Sequence, residues 1–346
     1  MTRKKIVCFL ISIIIVMGCG ITFNVFRAEA AQKIVIRHAY WPPNERYAKW
    51  LAQMVKEYQN KNSNVIIKLE RTDVGYWEGV MAWHVGGVAP DVIRVGADIM
   101  LQWIAKGVLR PLDDLVAASP RAQERVADIY PFLLKPLTYK GKLYALNSYF
   151  SLWTPFYNKL LFSQAGVPYP TSNWSWEDFQ AAAKKLTRDL DGDGKPEQLG
   201  FSAADWRVIY PFLYQNGVDE FLNENETKAV FDTPEALEAL KFVQKLAFYD
   251  KCFYVPPASD RTQLFMMGRL AIYHHWSITE NSWIDVGLDF GASPLPYHKE
   301  RATIFDIPPY GVSPQSKHPD VAFDWILFIT SPEVAMKGTE TGGPWG

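Results

Sequence analysis

The sequence predicts an α/β protein of two lobes joined by strands that cross between them. Lys33–Tyr40 (KIVIRHAY), an apolar-striped helix and Val65–Leu69 follow one another with short connections, and strand, helix, strand in that order builds a parallel sheet. The 346 residues suffice for two domains of about 100–200 residues each, or for one large one. Neither an internal repeat nor a low-complexity linker nor a charge block interrupts the chain. Two lobes without a loose linker would be joined by crossing strands, as a hinge-closing protein requires.

Taken in order, residues 1–30 read as an export segment. Arg3, Lys4 and Lys5 precede an apolar run from Ile6 to Met17. Two cleavage sites compete. Ala28-Glu29-Ala30 before Ala31 suits ordinary signal peptidase, while Val16-Met17-Gly18-Cys19 resembles a lipobox that would leave a lipid anchor at Cys19. The apolar residues after Cys19 favour the first; a retained transmembrane anchor, interrupted by Gly18 and Gly20, is a third reading. In each case the body of the protein is expected outside the cytoplasmic membrane. Cys8 and Cys19 lie in this segment, so Cys252 stands alone, without an internal disulfide partner and among apolar neighbours that predict a buried small hydrophobe.

After the first strand, Trp41-Pro42-Pro43-Asn44-Glu45 forms the loop at its carboxyl end. Tyr47, Trp50, Leu51, Met54, Val55 and Tyr58 then make one helical stripe. Val92–Val95 begins a third strand. Tyr139–Lys159 carries a tight Lys-Gly-Lys turn, an apolar strand and an extended run with Ser148, Tyr149, Ser151, Trp153 and Thr154. Ser175 and Asp178 predict a capping box before the helix Trp176–Thr187. Leu199–Ala203 and Leu270–His274 read as strands. Thr233-Pro234-Glu235 is an N-cap with proline at the first helical position, and Ala239, Phe242, Val243 and Leu246 give that helix its buried face. Asp320–Thr330 and a segment starting at Ser331-Pro332-Glu333 complete the helices.

A formal net charge of −1, or −4 once residues 1–30 are removed, lacks the basic footprint of a nucleic-acid binder. Thirteen Trp, 17 Tyr and 20 Phe make the chain rich in aromatics. Rings interleaved with hydroxyls, as in Tyr149–Thr154, suit a surface that grips a polyhydroxylated ligand, with ring faces covering C–H groups while hydroxyls bond to hydroxyls. The same residues also suit an amphipathic strand with its aromatics in a core. Asp189-Leu190-Asp191-Gly192-Asp193-Gly194-Lys195-Pro196-Glu197 supplies oxygens at positions 1, 3, 5 and 9 of an EF-hand-type loop, with glycine at 6 and the Lys195 carbonyl at 7. Position 12 is Gly200 rather than glutamate. The loop either holds a structural Ca²⁺ or is a solvated acidic turn. No Cys-His, G-x-S-x-G, H-E-x-x-H or P-loop signature is present.

Eight motifs in order along the chain resemble the extracellular solute-binding proteins of ABC importers, in the sugar-binding, maltose-binding-protein-like group. They include Gly86–Val92 ending in Pro90-Asp91, Gly107–Asp114 (GVLRPLDD), Gly141–Ala145 with Tyr157-Asn158-Lys159, and Ala165–Pro168 followed by Trp176–Phe179. Phe265–Ile272 with Trp276, Ser316–Phe323 and Ser331–Glu333 continue the series. The resemblance implies a two-lobe, type II-like periplasmic-binding-protein fold with hinge crossovers. Lobe 1 would span 31–150, lobe 2 would span 151–300, and 301–346 would return to lobe 1. Two departures stand out. Asn147 replaces a usual proline, and the chain stops at Trp345-Gly346 where relatives continue, so the carboxyl end is expected to be truncated.

In such folds ligands sit outside the carboxyl ends of the strands, between the lobes. The resemblance therefore implies ligand contacts at Trp41, Asn44 and Glu45, at Asp98, at Tyr149, Ser151 and Trp153 on the first crossover, at Asp205 and Trp206, at His275 and Trp276, and at Tyr310. Asp91 reads as structural, and Tyr76 and Trp77 as a lip of the cleft. The function it implies is a monomeric receptor, with no catalysis and no required cofactor, that takes a carbohydrate from solution and presents it to a membrane permease. A secreted glycoside hydrolase, or the same fold holding a polyamine, peptide or metal, are the competing readings.

Overall fold

The computed structural model describes residues 33–340 apart from 43–44, 148, 224–226, 255–257 and 278–280. The export segment with Cys8 and Cys19, the candidates Asn44 and Ser148, and the chain end at Trp345-Gly346 lie outside the described residues.

The first lobe opens with β1 (Ile34–Tyr40), α1 (Glu45–Lys61), β2 (Val65–Arg71), α2 (Tyr76–Val85), β3 (Val92–Arg94) and α3 (Ala97–Ala105), and leaves through β4 (Ala145–Asn147). The second holds β5 (Ser151–Asn158), α4 (Trp176–Leu186), β6 (Leu199–Ala203), α5 (Pro234–Gln244), β7 (Leu270–Trp276), β8 (Phe290–Ala292) and β9 (Phe305–Asp306). The chain then returns as β10 (Pro309–Val312), α6 (Pro319–Ile329) and α7 (Pro332–Glu340).

One sheet has the order β2-β1-β3-β10-β4, and a second runs β8-β5-β7-β6 with β9 also on β5. β1 is parallel to β2 and β3, as the sequence predicts, and β7 is parallel to β6. Both sheets are nevertheless mixed. β10 re-enters the first lobe from the hinge side and so runs antiparallel to β3 and β4, and β5 runs antiparallel to β7 and β8. Among the described residues, the chain passes from one sheet to the other between Asn147 and Ser151 and returns between Asp306 and Pro309.

Each sheet has its own core. One cluster joins Ile36, Tyr47, Trp103, Leu146, Tyr310 and Trp325, and another joins Trp153, Phe162, Trp176, Phe201 and Ile272. All six stripe residues of α1 are buried. α4 begins with the expected capping box: Ser175 Oγ accepts from the Asp178 amide at 3.2 Å, and the Asp178 carboxylate accepts from the Ser175 amide at 2.9 Å. α5 has Thr233 as N-cap and Pro234 at its start. α4 lies so close to β6 that a Cβ on Gly200 would sit 1.9 Å from the Ala183 carbonyl oxygen. The Lys-Gly-Lys turn places Lys140 and Gly141 at φ 49° and 74°, the left-handed pair that closes a tight hairpin. Cys252 is buried, as expected, and burial pushes its thiol up to about 12. Asn147 is buried too; its amide donates to the Tyr149 carbonyl at 3.1 Å, bridging the turn where the chain leaves the first lobe.

Candidate functional site

The carboxyl ends of β1 and β3 in the first lobe face those of β6 and β7 in the second across the crossovers. Trp41 follows β1, and its ring meets Tyr76 and Trp77 at 5.0 and 4.5 Å. Beneath it lies Arg94 from β3, 2% exposed, with its guanidinium 4.2 Å from the Trp41 ring and 4.6 Å from that of Tyr47. Such stacking over aromatic faces is one of the few ways to bury an arginine without a carboxylate beside it. Arg94 also donates to the Trp41 carbonyl and, at 3.0 Å, to the Tyr149 hydroxyl. The aromatic ledge of one lobe is thereby tied to the first crossover.

From the opposite side, Asp205 caps the turn Trp206–Val208, accepting from the Arg207 amide at 2.8 Å and from its guanidinium at 2.9 Å. The same guanidinium reaches across to Asp98, in the first turn of α3, at 2.9 Å. Arg207 also lies 5.4 Å from the Trp206 ring and 6.0 Å from that of Trp276. Trp206 is 61% exposed, an unusual degree for the largest apolar side chain. Asp306, on the second crossover, pairs with Ser151 across the β5–β9 ladder. Burial pushes its carboxyl up; the Arg207 guanidinium opposes that shift, Asp98 reinforces it, and Arg94 and the Ile307 amide oppose it. A second bridge between the lobes joins Arg46 to Asp285 at 3.4 Å.

Arg94 thus links Trp41 with Tyr149, and Arg207 links Asp98 with Asp205, Trp206 and Trp276. Others differ from expectation. Trp153 is 1% exposed and packs edge-on against Trp276 at 4.8 Å, so it backs that ring from within the core. Tyr310 is fully buried and its hydroxyl bonds to that of Tyr47. Ser151 is buried, its Oγ 3.3 Å from that of Ser277, so the pair ties β5 to the end of β7. Glu45 turns to the surface, where Arg71 holds it and draws its carboxyl below the ordinary range. The His275 ring accepts from the Trp276 amide at 2.8 Å, and burial pushes it down to about 4. Asp91 is structural, accepting from the Arg37 amide and from Ser316 Oγ.

Arg94, Arg207 and Asp306 escaped the sequence reading. An arginine inside the apolar run Val92-Ile93-Arg94-Val95 was a visible signal, and Arg207 adjoins two named candidates. The Asp98–Arg207 contact spans 109 residues and leaves no local mark.

Away from the cleft, one oxygen each of Asp189, Asp191, Asp193 and Glu197 can lie within 4.8 Å of one another. The Asp189 carboxylate accepts from the Gly192 and Gly194 amides, and that of Asp193 from the Lys195 amide, curling the loop around those oxygens. The donors are hard oxygens, the set Ca²⁺ takes. Gly200, inside β6, supplies no side chain at position 12.

Two mixed α/β lobes on double crossovers, with rings and carboxylates meeting between them, define the solute-receptor class of fold. The chain belongs to the bacterial extracellular solute-binding protein family, whose model matches residues 53–345. Members act outside the cytoplasm, and the family is one of binding proteins. A substrate-binding protein of an ABC transporter from Listeria monocytogenes, solved with cycloalternan, superposes at a TM-score of 0.77 with 27% identity over 90% of this chain and 79% of that one. The arabinooligosaccharide-binding protein of Bacillus subtilis is 23% identical over 98% of this chain and 78% of its own length. The sn-glycerol-3-phosphate-binding periplasmic protein of Agrobacterium fabrum is 25% identical over 69% of this chain and 53% of its own. The chain spans about half the length of several of the curated relatives it matches.

Proposed function

We propose that this chain is the receptor subunit of an ABC importer, which captures a saccharide, most simply an oligosaccharide, between its lobes and presents it to a membrane permease. The observation that carries the reading is the meeting of exposed or half-buried indoles with carboxylates from both sides of one gap. Trp41 and Asp98 come from one lobe, Trp206, Trp276 and Asp205 from the other. Ring faces suit the C–H faces of sugar rings, and carboxylates accept from paired hydroxyls. A ligand that touches both sets favours the closed arrangement, because only that form makes all the contacts. The saccharides named for the Listeria and Bacillus relatives support this class of ligand. The protein binds its ligand without turning it over, works as a monomer and is exported by its amino-terminal segment, through cleavage after Ala30 or a lipid anchor at Cys19. The loop Asp189–Glu197 holds a structural Ca²⁺, with three aspartates, Glu197 and the Lys195 carbonyl as ligands.

The test is calorimetry of the exported form against malto-, arabino-, chito- and manno-oligosaccharides, polyamines and peptides, with product analysis in parallel. Saturable binding of a saccharide that is recovered intact is expected. Stabilisation by a polyamine or peptide alone, or cleavage of the sugar, would overturn the reading.

A further inference from the structure

Two arginines and three aspartates meet where the lobes face each other, and the way they pair decides which charges remain for a solute. Arg207 is shared between Asp98 of the first lobe and Asp205 of the second, each at 2.9 Å, and its remaining faces lie near Trp206 and Trp276. Arg94 lies beneath Trp41, donating to that residue's carbonyl and to Tyr149. Arg46, at the rim, is paired with Asp285. Asp306 shares the electrostatic environment of Arg207, Arg94 and Asp98. Each of these guanidiniums is already engaged, and the aspartates outnumber the two central arginines.

We propose that Arg207, held by Asp98 and Asp205, makes the cleft select uncharged solutes and reject anionic ones. This rests on the reading of the interlobe gap as the ligand site and extends it to the charge of the ligand. A neutral polyol gives hydroxyl donors to aspartate oxygens and C–H faces to the indoles without disturbing Arg207. A phosphate or uronate has to strip Arg207 from two carboxylates and then sit beside them, which is rejection by like charge as well as by lack of a donor. Arg207 is a specificity-determining residue in this scheme, and the two aspartates are the groups that keep it engaged.

The experiment uses inorganic phosphate, sn-glycerol-3-phosphate and an oligogalacturonate as anionic probes, and whichever neutral oligosaccharide of the panel above binds as the reference. The wild-type protein should bind the neutral sugar and show no saturable response to the three anions. Asp98→Asn with Asp205→Asn leaves Arg207 in place but releases it, and affinity for both phosphate probes should rise about tenfold or more, since a hydrogen bond to a charged partner is the kind gained. Adding Arg207→Gln to that pair should abolish the gain, which assigns it to this guanidinium. Circular dichroism of each variant establishes that it is folded. Tighter wild-type binding of the oligogalacturonate than of every neutral sugar would overturn the charge rule while leaving the saccharide reading standing. A folded double variant with no gain in phosphate affinity would also overturn it. Binding of polyamines and of no saccharide would overturn both the saccharide reading and the preference for uncharged solutes, leaving only the rejection of anions.

Discussion

Lowering the pH from 6.5 to 4.5 should cost this protein about 5 kcal/mol through two fully buried imidazoles alone, His38 and His274, and His275, also pushed down by burial, adds to the same loss. His38 on β1 is fully buried, and the Trp325 indole N–H donates to its Nδ1 at 3.0 Å. An indole nitrogen only donates, so Nδ1 must carry a lone pair, and protonating it would break that bond. Burial, assisted by the nearby Arg94 charge, pushes His38 down to about 3. His274 on β7 is equally buried, with the rings of Phe201 and Phe179 at 4.6 and 5.5 Å, and burial alone pushes it down to about 3. In the unfolded chain both titrate near 6.5. Above that pH neither state binds the proton and the histidines contribute nothing. Below it the unfolded state takes up protons that the folded state refuses, so stability falls as pH falls, by about 1.4 kcal/mol per pH unit for each histidine until pH approaches 3. Two groups over two units give the figure above, a large share of the 5–15 kcal/mol typical of a folded protein. Urea melts followed by tryptophan fluorescence at half-unit intervals of pH would measure it. His38 belongs to the first lobe and His274 to the second, so His38→Gln and His274→Leu should each flatten the pH dependence of one lobe. Stability curves for the double variant that run parallel to wild type between pH 6.5 and 4.5 would refute the reasoning.

Trp206→Ala and Trp276→Ala should each weaken saccharide binding about five- to tenfold by calorimetry, the loss of roughly one stacking contact. Trp206→Ala should leave the thermal midpoint unchanged because that ring is largely exposed, whereas Trp276→Ala should lower it by uncovering Trp153. Millimolar Ca²⁺ should raise the midpoint and EDTA reverse it, with Asp189→Asn plus Asp191→Asn abolishing the response; a midpoint indifferent to both additions would remove calcium from the account. Gly200→Ala should destabilise the second lobe by about 3 kcal/mol or more in a urea melt, since its methyl group has no space beside the Ala183 carbonyl.

Much of the scaffold was legible because its signals are local. The α1 stripe, the Ser175–Asp178 capping box and the Thr233-Pro234 start each lie within about three helical turns or fewer, and each is where the sequence places it. The candidate site was legible only in part. Residues next to strand ends, such as Trp41, Asp205 and Trp276, could be named from position in the chain. Period-two alternation predicts Tyr149, Ser151 and Trp153 on one face of a strand; β5 begins only at Ser151, and within it Ser151 and Trp153 do share a face, with Leu152 exposed between them. That both side chains of this face are buried depends on the indole of Trp276 and the hydroxyl of Ser277 laid against them by β7. Tyr310 follows the same rule, since its burial depends on Tyr47, 263 residues away.

Sequence alone determined the α/β class, the starts of the capped helices and the family, since caps, stripes and ordered motifs are encoded within short stretches of chain. It carried the helix begun at Thr233 past its end at Gln244, to Leu246. Tertiary structure decided the mixed direction of the sheets, because β10 must re-enter from the hinge, and it decided which aromatics face the gap. It also decided the charge of the cleft. Coulomb energy depends on distance in space and on local burial, so the sharing of Arg207 by Asp98 and Asp205, and the burial of Arg94 between rings, exist only once the two lobes are set against each other.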